Sequence, residues 1–465
     1  MNTLNSQKKL FLVIGLGKSG IGIAKLLSAE GKQVIILEQS EKKKFPKISK
    51  EFEEKGIIVE YKKNFELKNF TKWLSLISCV VISPGVPWNH HTLLQLRALG
   101  IKIESEISIA WKRLKHIPWI GITGTNGKTT VTYMLKHILD NNNISSLIGG
   151  NIGIPASEIA LHCLKNPLAR PKFLIMELSS YQIETALDIA PYIGIWTTFT
   201  PDHLERHETL EKYFNIKKHL LDKSFISIYN QDDKYLSNKK TILKDGIWTS
   251  IKGSEGGKNE AHFSIDSNRK VCEQGKEIFD SSVLTIDGKH NLQNLLLVTA
   301  AARKIGVSSK GLENGFKSFK GVAHRLEKVN IYKGITIFND SKATNFDASA
   351  IGLQSIEENS VIIVGGQIKK GNPKDWLEQI HLKASAVILF GESKEALNTL
   401  ILNSGFNGNI YILNELNEAT KTSLDIALSI SATNIILSPA CASFDQYKNF
   451  EERGDHFKEI LKCLL

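Results

Sequence analysis

Short apolar runs separated by stretches of helical periodicity recur along the whole chain. The first is Leu10-Phe11-Leu12-Val13-Ile14, followed by a glycine turn and a helical pattern to Ala29. Gln33 to Leu37 and Cys79 to Ile82 are further strands, and this block ends near Ile103 to Ile107, ahead of a helix around Ile109 to Leu114. A second block opens with Ile117-Pro118-Trp119-Ile120-Gly121-Ile122 and a helix from Val131 to Asp140. It continues through strands at Phe173 to Glu177, Ile193 to Thr198 and Phe225 to Tyr229, and a helix from Asn291 to Lys304. A third block, from about Gly321, has strands at Ile335–Phe338, Val361–Val364, Ala386–Phe390, Ile410–Leu413 and Asn434–Leu437. Apolar runs too short for helices, each followed by a helical period, predict parallel doubly wound sheets in all three blocks. Only Lys234 to Ser282 breaks the rhythm; it is polar, holds Gly253-Ser254-Glu255-Gly256-Gly257, and predicts loops with a small irregular sheet.

Composition narrows the class without choosing a function. At 465 residues the chain exceeds one hydrophobic core, and 42% hydrophobic with 23% charged residues is ordinary for a globular enzyme. No apolar run reaches the ~20 residues that span a bilayer, and the polar Met1 to Lys9 stretch shows no secretory pattern, so membrane insertion is not expected. Cys79, Cys163, Cys272, Cys441 and Cys463 lack the spacing of a zinc site or disulfide framework, which points to a cytoplasmic protein. The net charge of +11 comes from scattered doublets and the triplet Lys42 to Lys44. With no basic, aromatic-interleaved strand, it reads as a solvated surface with some pull on anionic metabolites and no nucleic-acid partner.

The candidate chemistry sits in the loops that follow strands, where α/β sheets bind ligands. Gly124-Thr125-Asn126-Gly127-Lys128-Thr129-Thr130 joins a strand to a helix, which aims backbone N–H groups and the positive helix end at an anion. Lys128 can reach the outer phosphates and the Thr129 hydroxyl can take Mg²⁺. The usual phosphate loop has glycine five places before its Gly-Lys pair; here that residue is Ile122. Gly15-x-Gly17-x-x-Gly20, with Glu38 past the second strand, fits a dinucleotide fingerprint, but the same turn suits any nucleotide-linked diphosphate.

Glu177, ending a strand, is placed either to hold Mg²⁺ across from Thr129 or merely to cap the next turn. In Thr200-Pro201-Asp202-His203-Leu204-Glu205-Arg206-His207, Asp202 could orient His203 as a metal ligand. Lys217 and Lys218, on the helix after Tyr213, read as a solvated face. Asn291 and Asn294 share a helix face, suited to a purine edge or to capping. Asn339 to Asn345, Val364 to Gly371 and Leu437 to Asp445 form three polar loops after strands of the third block, a pocket mouth in which Cys441 reads as a buried structural thiol.

Taken in order, these motifs resemble the Mur ligases of bacterial cell-wall synthesis, and within them the D-glutamate-adding type. The carrying residues are Gly124 to Thr130, Gly149-Gly-Asn-Ile-Gly153, Glu177-Leu-Ser-Ser-Tyr-Gln182, Asp202-His203, His290 to Asn294, His324-Arg325-Leu326-Glu327, Asn339 to Asn345 and Leu437 to Ser443. The resemblance implies an α/β protein of three domains: a Rossmann-like domain at 1–106 for the UDP-linked substrate, a central P-loop ATPase-like domain at 107–321, and a Rossmann-like amino-acid domain at 322–465. It implies that Gly17, Lys18, Glu38, Ser83, Gly85 and Asn151 bind UDP-N-acetylmuramoyl-L-alanine. Gly124, Thr125, Asn126, Gly127, Lys128, Thr129, Thr130, Asn291, Asn294, Arg325 and Asp340 are implied for ATP. Lys342, Thr344, Lys369, Ser443 and Phe444 are implied for D-glutamate; where the family commonly has an acid before that loop lysine, this chain has Ile368-Lys369-Lys370. Lys128, Glu177, His203 and Lys217 are the implied catalytic set, Lys217 being the lysine the family carbamylates. Two Mg²⁺ ions are implied, one near Thr129 and Glu177, the other near His203 and the Lys217 carbamate. A monomer that closes its third domain over the second during acyl-phosphate chemistry is the expected device. An NAD-dependent oxidoreductase would rest on Gly15 to Gly20 alone and leave the phosphate loop unexplained.

Overall fold

The computed structural model describes residues 10–252, 261–286, 288–369 and 371–465. Met1 to Lys9, the Gly253 to Gly257 run and Lys370 lie outside the described residues. Three mostly parallel sheets of five, nine and six strands form two compact units. The first unit, Met1–Thr285 with Lys289–Phe319, holds two sheets; the second, Ile286–Gly288 with Lys320–Leu465, holds the third.

The first sheet runs, in spatial order, Ile58–Glu60, Gln33–Leu37, Leu10–Ile14, Ile77–Ile82, Lys102–Ser105, all parallel. Its central strands are almost wholly aliphatic because helices cover both faces. The order reverses beside Leu10–Ile14, so the glycine turn after that strand opens at the switch point where such sheets take ligands. A Cβ on Gly20 would stand 2.0 Å from the Gly15 carbonyl oxygen, so only glycine lets the helix Lys18–Ala29 start there.

The second sheet runs Lys276–Asp280, Lys270–Glu273, Phe263–Ile265, Ile247–Ser250, Ile226–Asn230, Ile193–Trp196, Trp119–Thr123, Phe173–Glu177, Ser146–Gly150. Seven of these strands pair in parallel; the outer two join antiparallel. The strands of Lys234 to Ser282, expected as loops with a small irregular sheet, extend the central sheet at its outer side. The third sheet runs Glu327–Tyr332, Ile335–Asn339, Asn434–Leu437, Ser360–Gly365, Ala384–Phe390, Asn409–Ile412, with only the first strand antiparallel. Helices pack apolar faces on both of its sides. Among the described residues no helix is long and apolar enough to cross a membrane.

One hydrophobic cluster runs through both sheets of the first unit, from Val13, Ile36 and Val81 through Ile107 and Ile109 to Trp119, Leu174 and Trp196. Each such side chain contributes about 1.5–3 kcal/mol by leaving water. The helix Glu106–Leu114 lies at this junction. It begins earlier than periodicity suggested because the Ser105 hydroxyl accepts Ser108 N–H as its cap. The buried Glu106 carboxylate accepts the Ser157 N–H at 2.6 Å, and burial raises its pKa. Arg113 closes the far end with a two-pronged pair to Glu30 at 2.9 and 2.8 Å.

Candidate active site

The loop after Trp119–Thr123 is built by two glycines in backbone conformations other residues rarely adopt. Gly124 has φ +147° and Gly127 has φ +83°, and the helix Lys128–Asn141 starts directly after them. Side-chain room is also absent: a Cβ on Gly124 would lie 2.0 Å from Thr197 Oγ1, and one on Gly127 2.9 Å from Asn294 Oδ1. Thr197 and Thr198 brace the loop. Thr125 N donates to Thr198 O at 2.8 Å, Asn126 N donates to Thr198 Oγ1 at 2.9 Å, and both threonine hydroxyls donate to Asn126 O. Lys128 curls back to donate to Gly124 O at 2.9 Å and Thr125 O at 2.8 Å, which keeps its ammonium over the loop. Thr130 is buried on the helix behind the loop. Beside it opens a cavity of ≈ 510 Å³ lined by Asn126, Thr198, Thr200, Asn230, Asp232 and Gln293 among others. Asn294, buried, lies 3.5 Å from Asn291 Oδ1 through its amide nitrogen, so the helix Lys289–Ile305 brings both amides to the loop's flank.

Glu177 ends the strand next to the loop strand and is 2% exposed. Its Oε2 accepts the Thr129 hydroxyl at 2.8 Å and its Oε1 accepts the Asn151 amide at 2.9 Å. Mg²⁺ is commonly held by one or two hard oxygens plus phosphates and water. A hydroxyl and a carboxylate presented together at a phosphate loop fit that ion. Among the described residues no group of three or more His, Cys, Asp or Glu forms a protein-only metal cage.

The sharpest departure from the expected solvated face is Lys217. It is 1% exposed, on the inner face of the helix Leu210–Lys223 with Tyr213, Leu220 and Leu221. Its Nζ donates to Gly124 O at 3.0 Å and Thr123 Oγ1 at 3.2 Å, and sits 4.8 Å from the centre of the Tyr213 ring. Burial, and next the Lys128 charge, push its pKa well below the usual lysine value, with Asp202 and Glu177 opposing. His203 is exposed, in the left-handed region at φ +53°, with Nε2 3.4 Å from Asp202 and Nδ1 3.7 Å from Glu205. Its ring lies 5.1 Å from Tyr181 and 6.5 Å from Tyr213, so Tyr213 neighbours both His203 and Lys217.

At the first sheet's switch point the glycine turn is closed by Glu38. Its two oxygens accept Leu16 N and Ser40 N, each at 2.7 Å, so the carboxylate shapes the turn with lone pairs to spare. Gly17 caps the helix, Lys18 is exposed at its first turn, and Ser83 Oγ donates to Ile14 O at 2.8 Å, with exposed Gly85 two residues on. Asn151 does not lie here; it belongs with Glu177 in the central sheet.

In the second unit three loops converge. Asp340 is buried, accepts Ser438 Oγ at 3.0 Å and Leu326 N at 3.2 Å, and burial raises its pKa to about 7 despite the nearby Arg325 and Arg453 charges. Lys342 is half-buried with Nζ 5.8 Å from the Phe450 ring centre, and Thr344 N donates to Lys342 O at 2.9 Å. Gln367 and Ala442 exchange backbone hydrogen bonds, which brings the loop of exposed Lys369 against that of buried Ser443 and exposed Phe444. Cys441 is fully buried and its thiol is pushed up to about 12 by burial, as suits a structural thiol.

Sequence reasoning missed the residue that ties these loops. Arg453 is 0% exposed; its guanidinium donates to Ser341 Oγ at 3.0 Å, Ser341 O at 2.8 Å, Cys441 O at 3.1 Å and Gly365 O at 3.3 Å. A signal existed: Arg453 lies between Phe450 and Phe457 on the inward stripe of its helix, where a charge is out of place.

Comparison with known proteins agrees with this geometry. Residues 9–105 match the model of the Mur ligase MurD-like N-terminal domain, and residues 122–302 match that of the Mur ligase middle domain. A UDP-N-acetylmuramoylalanine–D-glutamate ligase from one strain of Prochlorococcus marinus is 51% identical, over 99% of this chain and 98% of that one. Its counterpart in strain MIT 9313 of the same species is 47% identical over 98% and 99%. The fold is shared with UDP-N-acetylmuramate-alanine ligase MurC of Thermotoga maritima, with TM-score 0.59, 18% identity and coverage of 98% and 99%. A pseudomurein peptide ligase type C from Methanothermus fervidus gives TM-score 0.56, 19% identity and coverage of 98% and 100%. With its phosphate loop, its glycine cradle and relatives of half-identical sequence over nearly its full length, the chain belongs to the Mur ligase family, on the branch of the UDP-N-acetylmuramoylalanine–D-glutamate ligases.

Proposed function

We propose that the protein joins D-glutamate to UDP-N-acetylmuramoyl-L-alanine at the expense of ATP, as a cytoplasmic monomer. The observation that carries this reading is one sheet edge holding a phosphate loop, the Thr129–Glu177 oxygen pair and the buried amine of Lys217. That set suits activation of a carboxylate by phosphoryl transfer, whereas hydride transfer would use none of it.

The alanyl carboxylate attacks the γ-phosphorus of ATP; the new O–P bond replaces that to ADP and leaves an acyl phosphate. Lys128 and the loop amides of Gly124 to Thr130 hold the phosphates in line and offset their charge, and Asn151 orients the acyl end beside them. Mg²⁺ is assigned to Thr129 and Glu177, and a second ion to His203 and Lys217; bound there, it supplies Lewis-acid charge stabilisation. The amine of D-glutamate then attacks the acyl carbon, and the tetrahedral species collapses to an amide with loss of phosphate. Gly17, Lys18, Glu38, Ser83 and Gly85 are assigned to the UDP moiety, and Asn291, Asn294, Arg325 and Asp340 to ATP. Lys342, Thr344, Lys369, Ser443 and Phe444 are assigned to D-glutamate.

Lys217 reads as a carbamylation site. A buried amine held neutral keeps the lone pair that attacks CO₂; an N–C bond forms, one proton leaves, and the product is an anion. That turns a neutral nitrogen, a poor partner for a hard cation such as Mg²⁺, into an anionic oxygen ligand.

Phosphate release from Mg-ATP and UDP-N-acetylmuramoyl-L-alanine, compared across D-glutamate, L-glutamate, L-lysine and no amino acid, tests the whole reading. Release is expected with D-glutamate only. Turnover with L-lysine in its place would overturn the assigned specificity.

A further inference from the structure

One side chain of the His203 loop has no part in the chemistry above. Arg206, on the short helix Leu204–His207, is only 11% exposed at its side chain and reaches across to the first sheet. Its Nη2 donates to Val86 O at 3.1 Å and to Glu184 Oε2 at 3.0 Å, while the guanidinium carbon lies 5.0 Å from the Tyr181 ring centre. Val86 belongs to the loop Ser83-Pro84-Gly85-Val86 that leaves the strand Ile77–Ile82 at its ligand-binding end. Tyr181 in turn lies 5.1 Å from the His203 ring and 5.4 Å from the buried His207 ring, and His207 stacks on Tyr213 at 5.3 Å. Tyr213 is the ring under Lys217 and meets Thr125 of the phosphate loop at 3.3 Å. Arg206 is thus the first member of a contact series from the Ser83 loop to the phosphate loop, bridging 120 residues of sequence.

We infer that Arg206 is a positioning residue: it fixes the Ser83–Val86 loop relative to the phosphate edge, and so sets where the acyl end of the UDP-linked substrate meets the phosphoryl donor. The inference rests on the assignment of that loop to the UDP-linked substrate. The chemistry of the contact supports a dedicated role. One nitrogen, Nη2, donates to both the Val86 carbonyl and the Glu184 carboxylate while the planar guanidinium lies over the Tyr181 ring, a combination of reach and flat cationic face that a lysine ammonium does not reproduce. Helix stabilisation alone would need only the Glu184 pair; a four-residue helix gains nothing from a bond to a loop of another sheet.

Two variants separate the readings. Arg206→Lys keeps a cation near Glu184 but loses the flat guanidinium over Tyr181 and its reach to Val86, and Glu184→Gln keeps Arg206 on Val86 but loses the ion pair. For Arg206→Lys, the KM and the calorimetric Kd for UDP-N-acetylmuramoyl-L-alanine are expected to rise about tenfold, the loss of one charge-assisted hydrogen bond. The KM for ATP should stay within about twofold, and amide hydrogen exchange over 83–88 in the ligand-free protein should accelerate. Glu184→Gln should weaken substrate binding by less than about threefold. The inference is overturned if Arg206→Lys binds the UDP-linked substrate as the wild type does, if ATP affinity falls in step with it, or if Glu184→Gln matches its effect. A wild-type protein that does not bind UDP-N-acetylmuramoyl-L-alanine would sink the substrate assignment instead, and the exchange comparison would still decide whether Arg206 holds the loop.

Discussion

Replacing Lys217 by methionine separates what this residue does for stability from what it does for turnover. The methionine keeps the length and apolar stem, so no large cavity opens. Two hydrogen bonds disappear, each worth about 0.5–1.5 kcal/mol. Neither acceptor is left bare, because Thr123 Oγ1 still donates to Leu178 O at 2.9 Å and Gly124 O still accepts Lys128. Against that loss stands the desolvation of a buried amine, about 1–3 kcal/mol, which the variant no longer carries. Above pH 10.5, where the amine is neutral in both states, the two nearly cancel, and unfolding free energies from urea titration should agree to within about 1 kcal/mol. They should then diverge with pH. The folded protein keeps Lys217 neutral while the unfolded chain protonates it up to the ordinary value of 10.5, so the unfolded state binds the extra proton. Stability from this group is present above that value and is lost as pH falls through the lowered folded one. Between the two, the wild type should gain on the variant with a limiting slope of about 1.4 kcal/mol per pH unit. Urea titrations from pH 7 to 10 in CO₂-free buffer measure this directly. Turnover in ordinary buffer should fall at least about a hundredfold, because an electrostatic stabiliser of the transferring group is removed. Parallel pH curves would refute the neutral buried amine, and normal turnover would refute the carbamate.

Lys128→Ala should lower phosphate release by about a hundredfold or more while shifting stability by no more than about 1 kcal/mol, checked by steady-state kinetics and thermal melting. Gly124→Ala drives a methyl to 2.0 Å from Thr197 Oγ1 at φ +147°, so a loss of about 1–3 kcal/mol and of ATP binding is expected, with partial recovery on adding Thr197→Ala. A Gly124→Ala protein with wild-type ATP affinity would show that the loop is not so tightly braced. Asp340, with its pKa raised from 3.8 to about 7, favours folding when protonated; that stability is full below 3.8 and lost as pH rises through 7. Asp340→Asn should therefore gain on the wild type between pH 4 and 8 in urea midpoints, and an unchanged difference across that range would contradict the assignment.

The strand cores were legible because helices cover both faces, so runs such as Gln33–Leu37 and Asn434–Leu437 leave no ambiguity about burial. What escaped was decided by single side chains or by thin patterns. The start of Glu106–Leu114 depends on one serine cap, and the strands Phe263–Ile265 and Lys270–Glu273 are too short to show alternation. The phosphate loop was legible despite Ile122, since two glycines at the turn carry the geometry. Lys217 was misread as solvated from its charge, although its spacing from Tyr213, Leu220 and Leu221 already put it on the buried stripe. Arg453 escaped for the same reason: a periodic pattern that scores charges as outward cannot see an inward one. The roles of the second unit's loops came from resemblance alone, because no local rule says which strand-end polar residues meet which ligand.

The hydrophobic cluster that passes unbroken from the first sheet into the second bears on how this protein can be taken apart and recombined. A chain cut after Ser105 would strip Ile107, Ile109 and Trp119 from one piece and bare Val13, Ile36 and Val81 on the other. The residues around the glycine cradle should not then be obtainable as a free-standing module. Exchanging this segment between relatives would succeed only if the partner faces, Gly22 against Ser157 and Glu30 against Arg113 among them, travel together. The two cradles of the first unit are thus a single heritable piece, able to diverge in their loops but not in the face they share.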